Sequence, residues 1–213
     1  MFDLLNRVVL IGIWMFVLVF IWVFCNAILF PSDFSIARHA VENGDVEELK
    51  LVIAKIDVDR RIKDANPYKN NSTLLIVAAR NTDLEIVNLL IEHGANPSLQ
   101  NSQNETALHN AIGCGLGSQA GVNVVEKLAE SDEILDVPEI NGWTPLHLCA
   151  LHSLDKEGRI LISRGARLNV VDQEGRTPLK ISQLKGDTQF AELLQEKRRD
   201  TGATEPINSD STR

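Results

Sequence analysis

Aromatic residues nearly vanish from this chain after position 34. Of eleven in 213 residues, eight (Phe2, Trp14, Phe16, Phe20, Trp22, Phe24, Phe30 and Phe34) precede Ser35, and only Tyr68, Trp143 and Phe190 follow. The chain is therefore two materials joined end to end, and a mean hydropathy of -0.04 averages an apolar head with a polar body. Cysteine is also scarce. Cys25, Cys114 and Cys149 form no CxxC and no Cys/His pairing, which excludes a disulfide framework and a zinc site. Positive charge is in deficit, with 21 Lys and Arg against 29 Asp and Glu, a net charge of -8. Without a sustained basic stripe, a nucleic-acid partner is excluded as the main one. None of the five histidines stands at ligand spacing from a Cys, Asp or Glu, so no metal and no cofactor are expected.

What the head does contain is a long hydrophobic run. Val8 to Cys25 reads VVLIGIWMFVLVFIWVFC without a charge, and AILF follows Asn26 up to Pro31. At about 1.5 Å per residue, residues 8–30 would reach roughly 35 Å as a helix, against a hydrocarbon core of about 30 Å. The expectation is a transmembrane helix over 8–30 with a short flank at 1–7. A cleaved signal peptide would carry an apolar region of about 7–15 residues, and this run is longer. Arg7 abuts the N-terminal side, whereas the first basic residue after the span is Arg38. That bias favours a cytoplasmic N-terminus and an exported body, which in a bacterium means the inner membrane with a periplasmic domain.

The body repeats itself. Thr144-Pro145-Leu146-His147 recurs thirty-three residues later as Thr177-Pro178-Leu179-Lys180, and Thr73-Leu74-Leu75-Ile76 recurs at the same distance as Thr106-Ala107-Leu108-His109. Threonine before Pro or Ala is a helix N-cap, and Pro145 and Pro178 sit where no backbone donor is lost. Apolar stripes follow in a second helix: Ile86, Val87, Leu89 and Leu90; Val124, Val125 and Leu128; Ile160 and Leu161; Phe190, Leu193 and Leu194. Two residues before each capping Thr stand Asn71, Asn104, Gly142 and Gly175, residue types that tolerate positive φ in a tight turn. Gly94-Ala95 and Gly165-Ala166 fall twenty-one residues after two of the threonines.

This pattern resembles the ankyrin repeat, above all in residues 73–98. The resemblance implies an all-α solenoid of about five helix-turn-helix units with short β-turn tips, at about 34–66, 67–99, 100–137, 138–170 and 171–198. The first unit, with Arg38 and His39 in place of the expected residues, reads as an N-terminal cap. Between Thr106 and Thr144 the spacing grows to thirty-eight, and the extra residues are expected as a mobile loop over 113–122. Its Gly113-x-Gly115-x-Gly117 has no preceding strand and no following Lys-Ser/Thr, which argues against a phosphate cradle. Residues 199–213 are expected to be an unstructured tail.

The resemblance also implies where a partner would touch: four, three and one residues before each capping Thr, and seven and eight after it. The candidates so placed are Arg80 in the second unit and Gln103 and Glu105 in the third. The fourth supplies Ile140, Asn141, Trp143, Leu151 and His152, and the fifth Gln173 and Arg176. Cys114, Glu174 and Leu184 occupy further positions of the same kind. Only the fourth unit offers large apolar groups, and Ile140, Trp143 and Leu151 with His152 would form an anchor cluster. The competing reading has Trp143 covering an adjacent turn and Leu151 packing on the Asp155–Gly158 connection. His109 and His147 are expected to bond back to their capping Thr and to neighbouring backbone. No enzyme constellation and no small-molecule substrate are evident. The function expected is protein–protein interaction at the concave surface of a membrane-anchored chain, capturing a partner protein beside the bilayer. The alternatives are a cytosol-facing scaffold or regulatory subunit of a membrane complex and, third, a thiol-dependent enzyme acting through Cys114.

Overall fold

Each repeated threonine caps a helix. In the computed structural model, which describes residues 32–63, 70–201 and 207–208, Thr73 Oγ1 accepts from Ile76 N and Thr177 Oγ1 from Lys180 N, while Thr106 and Thr144 form reciprocal capping boxes with His109 and His147. The helices so begun are α3 (Leu74–Arg80), α5 (Ala107–Gly115), α7 (Pro145–His152) and α9 (Pro178–Lys185). Each is answered by a second helix: α4 (Leu84–Glu92), α6 (Gln119–Leu128), α8 (Asp155–Ser163) and α10 (Thr188–Thr201). The first unit supplies the pair α1 (Asp33–Asn43) and α2 (Val46–Val52), so five helical hairpins follow one another. Side-chain caps recur in the second row too, with Asp45, Asp83, Ser118 and Asp187 each accepting from a first-turn backbone N–H.

The hairpins stack in two layers. Helices α1, α3, α5, α7 and α9 touch in sequence, and α4, α6 and α8 touch behind them. Small buried residues on the first layer (Ala78, Ala79, Ala111, Cys149, Ala150 and Ser182) let its helices lie close. Leu75, Leu108 and Leu146 fill the space between layers with Ile86, Leu90, Leu128, Leu161 and Phe190, giving one continuous core. The Phe190 ring lies directly on the α8 backbone, because a Cβ at Gly158 would stand 2.3 Å from its Cε2. The four turn positions adopt the left-handed conformation, with φ of 63° at Asn71, 59° at Asn104, 81° at Gly142 and 73° at Gly175.

Two expectations are corrected. Residues 113–122 are not a loop: α5 runs through Gly115, Ser118 caps α6, and only residues 116–118 connect them. The insertion is shared along the unit. The second helix starts eleven residues after the capping Thr in three units (Thr73 to Leu84, Thr144 to Asp155, Thr177 to Thr188) and thirteen after it here (Thr106 to Gln119). The remaining extra residues fall after that start, where a 3-10 turn at Asp132–Ile134 buries Ile134. Gly115 and Gly121 make the hairpin possible, since a Cβ on either would lie within 2.8 Å of the other's Cα.

Nor is the tail unstructured throughout. Helix α10 continues to Thr201, and β2 (Ile207–Asn208) pairs in parallel with β1 (Val170–Val171). The expected transmembrane helix at 8–30 lies outside the described residues. Among those residues no helix is long and apolar enough to cross a membrane.

Candidate functional site

The turn tips are stitched to one another by backbone. Ser102 N donates to Asn70 O at 3.2 Å, Ile140 N to Gln103 O at 2.9 Å, and Gln173 N to Asn141 O at 3.1 Å, so successive tips hold a fixed register. Gln173 Nε2 adds a bond to Ile140 O at 2.8 Å. Inside the last three tips an acceptor five residues before the capping Thr folds the turn. Asn101 Oδ1 accepts from Gln103 N and Glu105 N, Glu139 Oε1 from Asn141 N and Trp143 N, and Asp172 Oδ1 from Glu174 N and Arg176 N. These three were missed as site residues. The available signal was an Asn, Asp or Glu recurring at a fixed offset before a positive-φ position.

The two histidines lock the tips to the helices beneath. His109 Nδ1 accepts from Thr106 N at 3.3 Å and lies 2.9 Å from Thr106 Oγ1, while its Nε2 donates to Trp143 O of the next unit at 3.1 Å. His147 repeats this with Thr144 N at 3.1 Å, Thr144 Oγ1 at 2.8 Å and Arg176 O at 3.0 Å. An Nδ1 that accepts a backbone N–H cannot carry a proton, so both rings are neutral with the proton on Nε2. Burial pushes both pKa values down to about 4, only partly opposed by the hydrogen bonds to backbone carbonyls.

Between the tips of the fourth and fifth units opens a concavity of about 310 Å³, with Trp143 and Leu148 as its apolar wall and Glu105, Glu139, Asp172, Glu174 and Arg176 as its charged rim. Asn141 and Gln173 complete it. Arg176 bonds Asp172 at 2.7 Å and Glu174 at 2.6 Å, and its guanidinium stands 5.7 Å from the centre of the Trp143 ring. Desolvation raises the Glu139 pKa against the hydrogen bonds of its own turn, and neighbouring Glu105 raises it further. At Asp172 desolvation acts the same way but is outweighed by the hydrogen bonds and charge of Arg176, leaving its pKa lowered.

The candidate contact residues therefore divide. Asn141, Trp143, Glu105, Gln173 and Arg176 line one space. Arg80 reaches the same region indirectly, since its guanidinium bonds Asn110 Oδ1 at 3.1 Å and Asn110 Nδ2 donates to Glu105 Oε2 at 3.4 Å. Gln103 is half-buried and serves the tip through its carbonyl. Ile140, Leu151 and His152 do not line the concavity: Ile140 is 47% exposed, Leu151 packs against the core, and His152 is exposed at the end of α7. Trp143 itself is partly buried and also packed on the core beneath Arg176.

Both described cysteines, Cys114 and Cys149, are held toward the protonated thiol. Desolvation raises the thiol pKa of exposed Cys114, with Arg80 opposing and Glu105 reinforcing, and burial lifts that of Cys149 much further. Among the described residues, no three His, Cys, Asp or Glu side chains gather where they could hold a metal ion.

A family model described as ankyrin repeats in three copies matches residues 37–134 and 116–205. Among curated proteins, the chain is 34% identical over 103 residues to the RelA-associated inhibitor of Mus musculus, covering 48% of this chain and 12% of that protein. It is 32% identical over 158 residues to a homolog of transient receptor potential cation channel subfamily A member 1 from Caenorhabditis elegans (74% and 12%). It is also 31% identical over 126 residues to diacylglycerol kinase zeta of Rattus norvegicus (58% and 13%). The chain spans about an eighth of the length of these relatives.

Proposed function

The chain belongs to the ankyrin-repeat family, and from that premise we propose that it is a membrane-anchored interaction protein that captures a partner protein beside the bilayer. Its repeats imply protein–protein interaction, and the observation that carries the rest is the concavity at Trp143, where an aromatic face stands among groups held in register by the tips. An aromatic anchor in a fixed polar surround is the arrangement that concentrates binding energy. The thiol-dependent alternative has less support, because desolvation raises the Cys114 pKa. The apolar run at 8–30 fixes the chain to the membrane, and restriction to that surface raises the effective concentration of partner and repeat domain for one another.

A photo-crosslinking residue placed at exposed Ile140 in the full-length, membrane-bound chain is expected to trap a partner, and one at Glu126, exposed on α6 in the opposite layer, is not. Trp143→Ala should reduce the Ile140 adduct about tenfold or more, the effect of losing an anchor. Equal yields at both positions, or no effect of Trp143→Ala, would remove this surface. The anchor is tested separately. A reporter fused after Arg199 is expected to be active on the exported side only, as the position of Arg7 relative to the span directs. Activity on the cytoplasmic side would make the chain a cytosol-facing scaffold, and release of the intact chain by alkaline extraction would remove the anchor.

A further inference from the structure

The charges around Trp143 are unbalanced, and the imbalance says what kind of group belongs there. Four carboxylates face one guanidinium in the concavity. Arg176 is committed to Asp172 and Glu174 at 2.7 and 2.6 Å, which leaves Glu105 and Glu139. Among the described residues neither of these two is ion-paired. The partners of Glu105 are the Asn101 and Asn110 side-chain amides, and those of Glu139 are the backbone of its own turn and the Asn141 amide. They are close enough that Glu105 acts on the titration of Glu139. Two like charges facing each other over a half-buried aromatic wall repel, and a cation between them would relieve the repulsion while stacking on the indole. The indole already takes a guanidinium on one side, from Arg176, so its ring is presented in a way that suits such a group.

We propose that the concavity receives an arginine or lysine side chain from a basic segment of the partner protein, held between Glu105 and Glu139 against Trp143. This rests on the reading of the concave surface as a partner site and adds the chemistry of the occupant. A long cationic side chain suits the lining: Trp143 and Leu148 offer an apolar wall to its methylene stem, and the carboxylates and the Asn141 and Gln173 amides offer acceptors to its head. An acidic segment would add charge to a site that already carries an excess.

The test uses the full-length chain in detergent with Trp14→Phe and Trp22→Phe, so that Trp143 is the sole tryptophan. It is titrated with acetylated, amidated hexa-arginine and, in parallel, hexa-glutamate. Hexa-arginine is expected to change Trp143 emission saturably and hexa-glutamate to leave it unchanged. Glu105→Gln with Glu139→Gln removes both charges and should weaken hexa-arginine about tenfold or more. It leaves one acceptor oxygen at each position, enough for the backbone N–H bonds of the Glu139 turn and the Asn amides at Glu105 but not for the Asn141 amide bond to Glu139 Oε2. Glu126→Gln with Glu133→Gln removes the same charge from exposed positions elsewhere and should change affinity less than about twofold. Equal weakening by the two pairs, or none by the first, overturns the proposal, because attraction to the chain's overall charge of -8 would then explain the binding. The Ile140 crosslink makes no reference to charge. An adduct there without hexa-arginine selectivity removes the cationic occupant and leaves the surface standing.

Discussion

Acidification from pH 7 to pH 5 is expected to remove about 4 kcal/mol of folding free energy, roughly 2 kcal/mol from each of two buried histidines. His109 is 2% exposed and His147 0% exposed, and both are held neutral with pKa values near 4. An unfolded histidine titrates near 6.5. Between these values the unfolded chain binds protons that the folded chain refuses, so stability is fully present above about pH 6.5 and is lost as pH falls toward 4. The refusal has a structural cause. Protonating Nδ1 would set an N–H against the Thr106 or Thr144 backbone N–H that it now accepts, and would break the cap of α5 or α7. Urea unfolding of the full chain at the two pH values checks this. Asp136 and Glu139, raised mainly by desolvation, work in the opposite sense, since a folded carboxyl that holds its proton more tightly gains stability on acidification. Replacing both histidines by asparagine should lower stability at pH 7 and flatten the profile between pH 5 and 7. An unchanged slope would show that other groups carry the pH dependence.

Three glycines in one ten-residue stretch are expected to respond to alanine with opposite signs. Gly121→Ala should destabilise the chain by about 2 kcal/mol or more, because its Cβ would stand 2.7 Å from Gly115 Cα and 3.1 Å from Gly115 C. The obstacle is backbone, so no rotamer change relieves it and the two helices must part. Alanine's better helix propensity, worth about 1 kcal/mol at most, offsets only part of this. Gly115→Ala meets Gly121 Cα at 2.8 Å and should behave likewise, and the double variant should cost less than the sum because one separation serves both. Gly113 lies in the same helix with nothing within 4 Å of its would-be Cβ, so Gly113→Ala should stabilise by about 0.5–1 kcal/mol. Thermal or urea unfolding of the three single variants decides. A mobile loop over 113–122 would make all three neutral.

The repeat body was legible because its signals are local. A threonine that caps, a proline at the first helical position, an Asn or Gly two residues earlier and an apolar stripe eleven residues later each act within one or two turns of chain, so position alone identifies them. The histidines were legible for the same reason on one side: the Thr106–His109 and Thr144–His147 bonds span three residues. Their other bonds, to Trp143 O and Arg176 O, lie 34 and 29 residues away and follow only from stacking.

The contact surface was less legible. Asn141, Trp143, Glu105, Gln173 and Arg176, which the resemblance named as contact positions, line one concavity, yet the resemblance could not say that Arg176 turns back onto Asp172, Glu174 and Trp143 within its own chain. Nor could it separate Ile140, Leu151 and His152 from the concavity, since a side chain's neighbours there belong to the next repeat. The glycine-rich stretch misled for a related reason. Glycine marks turns and close approaches alike, and only the α5–α6 packing shows that Gly115 and Gly121 are the second kind.

Residue order by itself thus determined the period, the caps, the alternation of two helices per unit and the composition break near residue 34, all of which need no more than the few residues nearest each position. The tertiary structure decided how the thirty-eight-residue unit absorbs its extra length and that Ile207–Asn208 return to pair with Val170–Val171. It also decided which carboxylates beside Trp143 are already paired. These outcomes depend on groups brought together from different units, and their charge and packing are settled only once the stack has formed.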